Sequence, residues 1–289
     1  MTGLRTGAVS KSATKSTVNP PLTAKLGARI GQGRTAEVFA WGENHVLKLY
    51  YPGWHAAAAD SEYRTAQTVF QAGASAPAVD GVVHVNGRCG VVFERVDGPS
   101  LLNHTTARPW TVFRSAHLMA ELHARMHACH PAGLPVQRER LQNKILEAHP
   151  LPAALKQAAL TALAHLPDGS VLCHGDFHPD NIVLATHGPV ILDWTEATSG
   201  HPLADVARTT LMMRHAALPP HLPGRRLIEA GRRLWYQLYL RRYCQLRSVS
   251  PKQVEAWLLP VAAARLSEGI PEEEALLLRL IQRAVSQGN

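Results

Sequence analysis

The sequence predicts an α+β chain in two lobes: a small, mainly antiparallel β lobe carrying one helix, then a larger lobe built mostly of helices. Three observations carry this. Between residues 25 and 96 short apolar runs alternate with turn signals; beyond Gly98-Pro99 long segments of helical period take over; and 289 residues at 46% hydrophobic suffice for two cores sharing an interface. With 18% of residues charged, wholesale disorder is excluded.

Residues 1–24 are rich in Ser, Thr, Lys and Gly without a sustained period, so they read as a flexible leader that cannot offset its ordering entropy. Strand signals follow at Ala28-Arg29-Ile30, at Val38 to Trp41, and at Val46 to Leu49 beyond a turn at Gly42 to Asn44. Ala56 to Gly73 breaks the meander with a helix whose apolar face runs through Ala59, Tyr63, Ala66 and Phe70, closed by Gly73. Val82 to Glu94 returns to β structure around Asn86-Gly87, the dipeptide best suited to a type I′ hairpin.

In the second lobe (residues 97–289) helices are predicted at Thr111–Cys129, Arg138–Ala148, Ala153–His165, Leu203–His215, Arg225–Leu246, Pro251–Leu266 and Glu272–Val285. One β insert is expected, through Val171-Leu172-Cys173, Asn181 to Leu184 and Val190 to Leu192.

Thirty Lys and Arg against 22 Asp and Glu give a net charge of +8, which favours anionic partners such as nucleotides, nucleic acid or acidic metabolites without choosing among them. Cys89, Cys129, Cys173 and Cys244 are scattered, with no C-x-x-C pair, so neither a disulfide framework nor a zinc ribbon is indicated. With no apolar run of membrane-spanning length and no secretory leader, the expected setting is the cytoplasm and no membrane partner is expected.

The densest chemistry lies in His174-Gly175-Asp176-Phe177-His178-Pro179-Asp180-Asn181, followed twelve residues later by Asp193 in Val190-Ile191-Leu192-Asp193-Trp194. Carboxylate and amide oxygens are hard ligands of the kind Mg²⁺ prefers, and a carboxylate beside a substrate hydroxyl can orient it and accept its proton. Three separable roles are thus available: Asp176 as base, and Asn181 and Asp193 on the metal. Upstream, Gly31-Gln32-Gly33-Arg34-Thr35-Ala36 sits between two predicted strands, where glycines let backbone amides approach a triphosphate. Lys48 on the next strand can pair with phosphate oxygens; its orienting anion is Glu62 in the following helix, with Asp60 the nearest rival.

The order of these parts is that of protein-kinase-like phosphotransferases. More closely, His174 to Asn181 with Ile191-Leu192-Asp193-Trp194 resembles the aminoglycoside phosphotransferase and choline kinase-type family, over roughly residues 25–285. The resemblance implies a bilobal kinase-like fold with ATP or GTP in the cleft as phosphoryl donor, Mg²⁺ on Asn181 and Asp193, and Lys48 on the α- and β-phosphates, braced by Glu62. It places the hinge at Phe93-Glu94-Arg95-Val96, with Glu94 and Val96 meeting the purine, and makes Asp205 the brace of the catalytic loop. It also implies that His174 orients that loop. Two departures stand out. Ala36 occupies the third glycine position, and the chain runs from Asp193 straight into the Leu203 helix, leaving little room for an activation segment or a docked peptide. The expected activity is therefore transfer of the γ-phosphoryl group to a hydroxyl of a small molecule, an aminoglycoside-type antibiotic or a hydroxyl-bearing metabolite. The alternatives are an idle nucleotide-binding scaffold and a kinase of protein or RNA.

Three features bear on partners. His123-x-x-x-His127 has the spacing of two metal ligands on a helix, but no H-E-x-x-H glutamate accompanies it, and packed or exposed histidines are the simpler reading. Arg232 to Tyr243 mixes arginines with aromatics, as a nucleic-acid surface does, yet Leu234, Leu238 and the aromatics at helical spacing read as core-facing, so nucleic acid is not the expected partner. From Gly200 onward thirteen cationic residues face seven acids, of which Glu255 and Glu268 are left to bind a cation. A polycationic acceptor wants an acidic pocket, so a neutral or anionic hydroxyl metabolite is at least as well suited.

Overall fold

A computed structural model describes residues 25–54, 56–215 and 224–288. The leader expected at residues 1–24 lies outside the described residues. Among the rest, strands β1 (Leu26–Gln32), β2 (Ala36–Trp41), β3 (His45–Tyr50), β4 (Val79–Val85) and β5 (Arg88–Glu94) form one antiparallel sheet in the order β1-β2-β3-β5-β4. Helix α1 (Ala56–Gln71) packs on β4 and β5. The Asn86-Gly87 turn has both residues at positive φ, 51° and 76°, as its sequence predicts. Strand alternation then sorts the faces. Leu47 and Leu49 join Trp41, Val83 and Val92 in one apolar cluster, while Ala59, Val91 and Tyr50 form another against α1. Lys48, between the two leucines, is thereby turned to the α1 side.

The C-terminal lobe holds α2 (Leu101–Ala107), α3 (Val112–Met126), α4 (Gln137–Glu147), α5 (Ala153–His165), α6 (Pro202–His215), α7 (Arg225–Arg247), α8 (Pro251–Glu255), α9 (Leu258–Arg265) and α10 (Pro271–Gly288). One continuous core joins them. α3 lies along α7, and α4, α6 and α10 close around α9, whose Ala262, Ala263 and Ala264 let their backbones come near. The expected β insert is two small sheets: β6 (Val171–Cys173) pairs with β9 (Thr198–Gly200), and β7 (Ile182–Ala185) with β8 (Gly188–Ile191). No helix of the described residues is long and apolar enough to cross a membrane.

Two joints set one lobe against the other. Gly98, at φ 154°, lies so close to β7 that a Cβ there would stand 2.4 Å from the Leu184 carbonyl oxygen. On the other side of the cleft Ser75, just beyond α1, donates its hydroxyl to the Pro189 carbonyl at 2.5 Å and accepts the Ile191 amide at 2.7 Å.

Several expectations need correction. The buried stripe of α1 is Ala59, Glu62, Ala66 and Val69; Tyr63 and Phe70 are only half-buried, because the helix turns to present the Glu62 carboxylate to Lys48. On α7 the buried stripe is Trp235, Tyr239, Leu240, Tyr243 and Cys244, with Leu234 facing outward. The helix expected over Pro251–Leu266 divides into α8 and α9, since Pro260 can donate no amide and is accommodated in a first turn. Helix α2 and strand β9 go unpredicted.

Candidate active site

Five short-range devices shape the loop that carries Asp176. Gly175 has φ 79°, and a Cβ there would meet the Glu196 carbonyl oxygen at 2.5 Å, so only glycine fits the turn. His174 donates its Nε2–H to the Leu192 carbonyl at 3.0 Å and accepts the Asp176 amide on Nδ1 at 3.1 Å, which fixes its tautomer. Buried as it is, its pKa is held below the ordinary value. Asn181 donates its side-chain amide to the Asp176 carbonyl at 3.0 Å, which directs its oxygen elsewhere. Leu192 returns its own amide to the Asn181 carbonyl at 2.8 Å, tying the loop to the Asp193 segment.

The fifth device is Asp205, at the start of α6 and fully buried. Its Oδ2 accepts the His174 amide at 2.6 Å and its Oδ1 the Gly175 amide at 2.8 Å. Oδ2 also faces Nε2 of His123 at 3.1 Å and of His127 at 3.4 Å. Each of those rings is met on Nδ1 by a tyrosine hydroxyl, Tyr239 at 2.6 Å and Tyr243 at 2.7 Å. His123 of α3 and His127 just beyond its end, spaced i,i+4, thus meet the i,i+4 tyrosines of α7 in two parallel Tyr–His–Asp chains. Burial drives the His123 pKa down to about 3, so its ring is neutral and donates to the carboxylate. The three groups lie within 4.8 Å of one another, as a metal site requires, but their hydrogen bonds are complete without an ion. Both histidines are packed.

Across the cleft, the Lys48 ammonium lies 2.7 Å from Glu62 and 3.1 Å from Asp193. Burial alone would lower its pKa, but the two carboxylates outweigh it and hold the pKa above the ordinary value. Tyr50 donates its hydroxyl to the other oxygen of Glu62, settling which oxygen faces the lysine. Asp60, the rival anion, takes no part: its carbonyl accepts from Arg64. Thr195 Oγ1 sits 2.8 Å from Asp193, 3.1 Å from Glu62 and 3.4 Å from Lys48. Asp193 itself has φ 56°, a left-handed conformation that turns its carboxylate into the cleft.

Lys48, Glu62, Glu94, Val96, Asn181 and Asp193 line one cavity of about 320 Å³, whose apolar walls include Ile30, Val38, Val46, Phe93 and Leu192. Asp176 lies outside that lining. Its carboxylate is 3.5 Å from His178 and 3.8 Å from Arg208 of α6. Burial pushes its pKa up, yet hydrogen bonding from His178 and the charge of Arg208 bring it far below the usual carboxylate range. Arg208 also donates to the Gly175 carbonyl and is ion-paired with Glu268 at 2.7 Å. Gly31, near the end of β1 opposite Val38, and Gly33, in the β1–β2 turn, do not line the cavity, and the Gly33 amide is spent on the Ala36 carbonyl at 2.8 Å. Added Cβ atoms at the two glycines would find only ordinary contacts at 3.6 Å.

The sequence reading missed Thr195, Tyr50, Arg208 and the two tyrosines of α7. Arg208, three residues beyond Asp205 on the same helical face, is the one a helical wheel could have flagged. The tyrosines lie 116 residues from their histidines, and no local signal announces them.

A five-stranded antiparallel lobe set over helices, with a lysine–glutamate pair facing an H-G-D loop and a following aspartate, defines the protein-kinase-like class of phosphotransferases. The chain belongs to the phosphotransferase enzyme family APH, whose pattern matches residues 27–257. A thermostable mutant of aminoglycoside phosphotransferase APH(4)-Ia, solved with AMP-PNP and hygromycin B, shares its fold at a TM-score of 0.63 and 18% identity, over 90% of this chain and 93% of that one. An aminoglycoside-3'-phosphotransferase of type VIII does so at 0.56 and 16%, over 83% and 93%. Among curated proteins, acyl-CoA dehydrogenase family member 11 of Rattus norvegicus is 34% identical over 112 residues, 36% of this chain and 14% of that protein. The chain thus spans about a seventh of the length of that relative, and the Mus musculus protein of the same name matches to the same extent.

Proposed function

We propose that this chain transfers the γ-phosphoryl group of ATP or GTP to a hydroxyl of a small molecule, with residues 25–96 as nucleotide-binding lobe and 97–289 as catalytic and acceptor-binding lobe. The observation that carries it is the convergence of Lys48, Glu62, Asn181 and Asp193 on one apolar-walled cavity between the lobes. The purine fits between Ile30, Val38, Val46 and Leu192, and the Val96 amide, unpartnered among the described residues, is available to its edge. Lys48 meets the α- and β-phosphates while Glu62 holds it in place. Gly31 and Gly33, which packing does not demand, keep side chains away from the triphosphate.

Asp193 and the side-chain oxygen of Asn181 form a hard-oxygen donor set suited to Mg²⁺, with Thr195 orienting the aspartate. The ion, when bound, supplies charge neutralisation to the β- and γ-phosphates. The acceptor hydroxyl oxygen bonds to the γ-phosphorus as the bond from phosphorus to the β-bridging oxygen breaks; the hydroxyl proton passes to Asp176 and the nucleoside diphosphate leaves. Held far below the usual range, Asp176 is always ionised and a weak base, so its main work is to aim the hydroxyl, taking the proton late. Positioning is what a loose phosphoryl-transfer transition state needs. The solved neighbours that carry nucleotide and hygromycin B support the reaction class by analogy. The test is Mg²⁺-dependent turnover of ATP and GTP over a panel of hydroxyl compounds. Phosphorylated small products support the proposal; tight nucleotide binding with no transfer supports an idle scaffold, and label appearing only on macromolecules overturns it.

A further inference from the structure

The reading above leaves the acceptor open, and the charges around Asp176 narrow it. An ammonium-rich acceptor needs free carboxylates near the base. Among the described residues the carboxylates joined to Asp176 through Arg208 are already in ion pairs. Glu268 is shared by Arg208 at 2.7 Å, Arg265 at 3.2 Å and Lys144 at 3.9 Å. Glu196 is taken by Lys144 at 2.7 Å and faces Arg140 at 3.7 Å. Glu273 is bound to Arg265, and Glu255 lies exposed on α8. Of the two acids the sequence left for a cation, neither is available at the base.

The cations are not equally satisfied. Arg208 and Lys144 each have a carboxylate oxygen at 2.7 Å, whereas Nη1 of Arg140 is 3.7 Å from Glu196 and is buried without a hydrogen-bond partner. A buried guanidinium donor left unpaired is costly unless a ligand or water supplies an acceptor. It borders a cavity of about 40 Å³ shared with Lys144, Arg208, Glu196 and Gly175, the residue next to the base. Since a water needs roughly 10–15 Å³ of such space, this one admits a carboxylate. A planar guanidinium matches two oxygens of such a group, and Lys144 adds a point charge.

We propose that the acceptor is a hydroxyl compound bearing an anionic oxygen group, a carboxylate or a phosphate, which Arg140 and Lys144 hold while its hydroxyl lies at Asp176. This rests on the phosphotransferase reading but is tested apart from it, by binding. The full chain with ADP and Mg²⁺ is melted against ω-hydroxycarboxylates of two to six carbons, their uncharged amides, the matching amino alcohols and ω-hydroxyalkyl phosphates, as wild type, R140Q and K144Q. The expected result is a rise in melting temperature with the acids or the phosphates only, weakened at least tenfold in apparent affinity by R140Q and by K144Q, while the shift due to ADP stays in place. Stabilisation by amino alcohols, equal response to acids and amides, no response to any probe, or an acid response indifferent to both substitutions overturns the proposal. Turnover on the same compounds decides the parent reading separately: acids that bind yet are never phosphorylated leave the anion site standing and sink the transferase.

Discussion

Two side chains offer the sharpest tests of the proposed chemistry at the scale of single residues. For Asp176, replacement by Asn keeps the shape and removes the charge that the proposed role uses to aim the hydroxyl and take its proton. Turnover should fall by roughly 10²–10⁴, the range for a side chain that both positions a hydroxyl and takes its proton, with the melting shift due to ADP unchanged; a variant as fast as wild type would remove Asp176 from that role. Thr195 is the second case. Its hydroxyl touches Asp193, Glu62 and Lys48 together, so Thr195→Val should raise the Mg²⁺ concentration needed for half-maximal ADP binding by roughly tenfold, as loss of a ligand's own partner does, whereas Thr195→Ser should restore it. Equal metal titrations of wild type and Thr195→Val would show that the hydroxyl is idle. The contrast between these residues also explains what could be read in advance. Asp176, Asn181 and Asp193 announce themselves because they sit in a compact pattern with little other use. Thr195 is chemically ordinary, and only the left-handed turn at Asp193 brings its hydroxyl back to the carboxylate.

Between elements, the decisive contact is α3 against α7, where Tyr239–His123 and Tyr243–His127 converge on Asp205 and through it on the amides of His174 and Gly175. Tyr243→Phe leaves the packing intact and strips the donor from a buried imidazole nitrogen, a loss of about 1–3 kcal/mol. Its expected signature is a lower urea midpoint and a kcat reduced severalfold at unchanged KM for the nucleotide, with the Tyr239→Phe and Tyr243→Phe losses failing to add in the double variant. A change in KM alone would place the tyrosines outside the loop's support. Helix boundaries were readable where apolar period, caps and proline agreed, as in α5 and α6. They were not where the element depends on its neighbours. The sequence of α2, Leu101 to Ala107, is poor in helix formers and is held by the Ser100 hydroxyl capping the Asn103 amide, while three-residue β9 exists only because β6 pairs with it.

For the whole molecule, three fully buried histidines, His123, His127 and His174, couple folding to pH. Burial is the largest cause in each and lowers each pKa, to about 3 for His123. Below the ordinary value near 6.5 the unfolded chain therefore binds protons that the native chain refuses, and stability falls as pH drops, by up to about 1.4 kcal/mol per pH unit for each ring. Asp205, held well below the carboxylate range, adds to the loss only in stronger acid. Urea midpoints measured from pH 7.5 to pH 4.5 should decline steadily, and His127→Gln should flatten the slope; a flat wild-type profile would mean that the rings titrate as they do in water. The two-lobed plan itself was legible, because it rests on a change of period at Gly98-Pro99 that no tertiary contact is needed to see. The clasp of Ser75 on β8 was not, since nothing in a lone serine marks a partner more than a hundred residues away.

The stretch from Trp194 to His201 is fastened at nearly every step: Thr195 at the lysine, Glu196 to Lys144, Thr198 to Gly200 in the β6 ladder, and the His201 amide on Gln137 at 2.9 Å. A ribbon pinned so closely has no slack to be thrown between an open and a shut arrangement. For the transferase proposed above, this makes output follow the supply of donor and acceptor rather than a throw of a local lever.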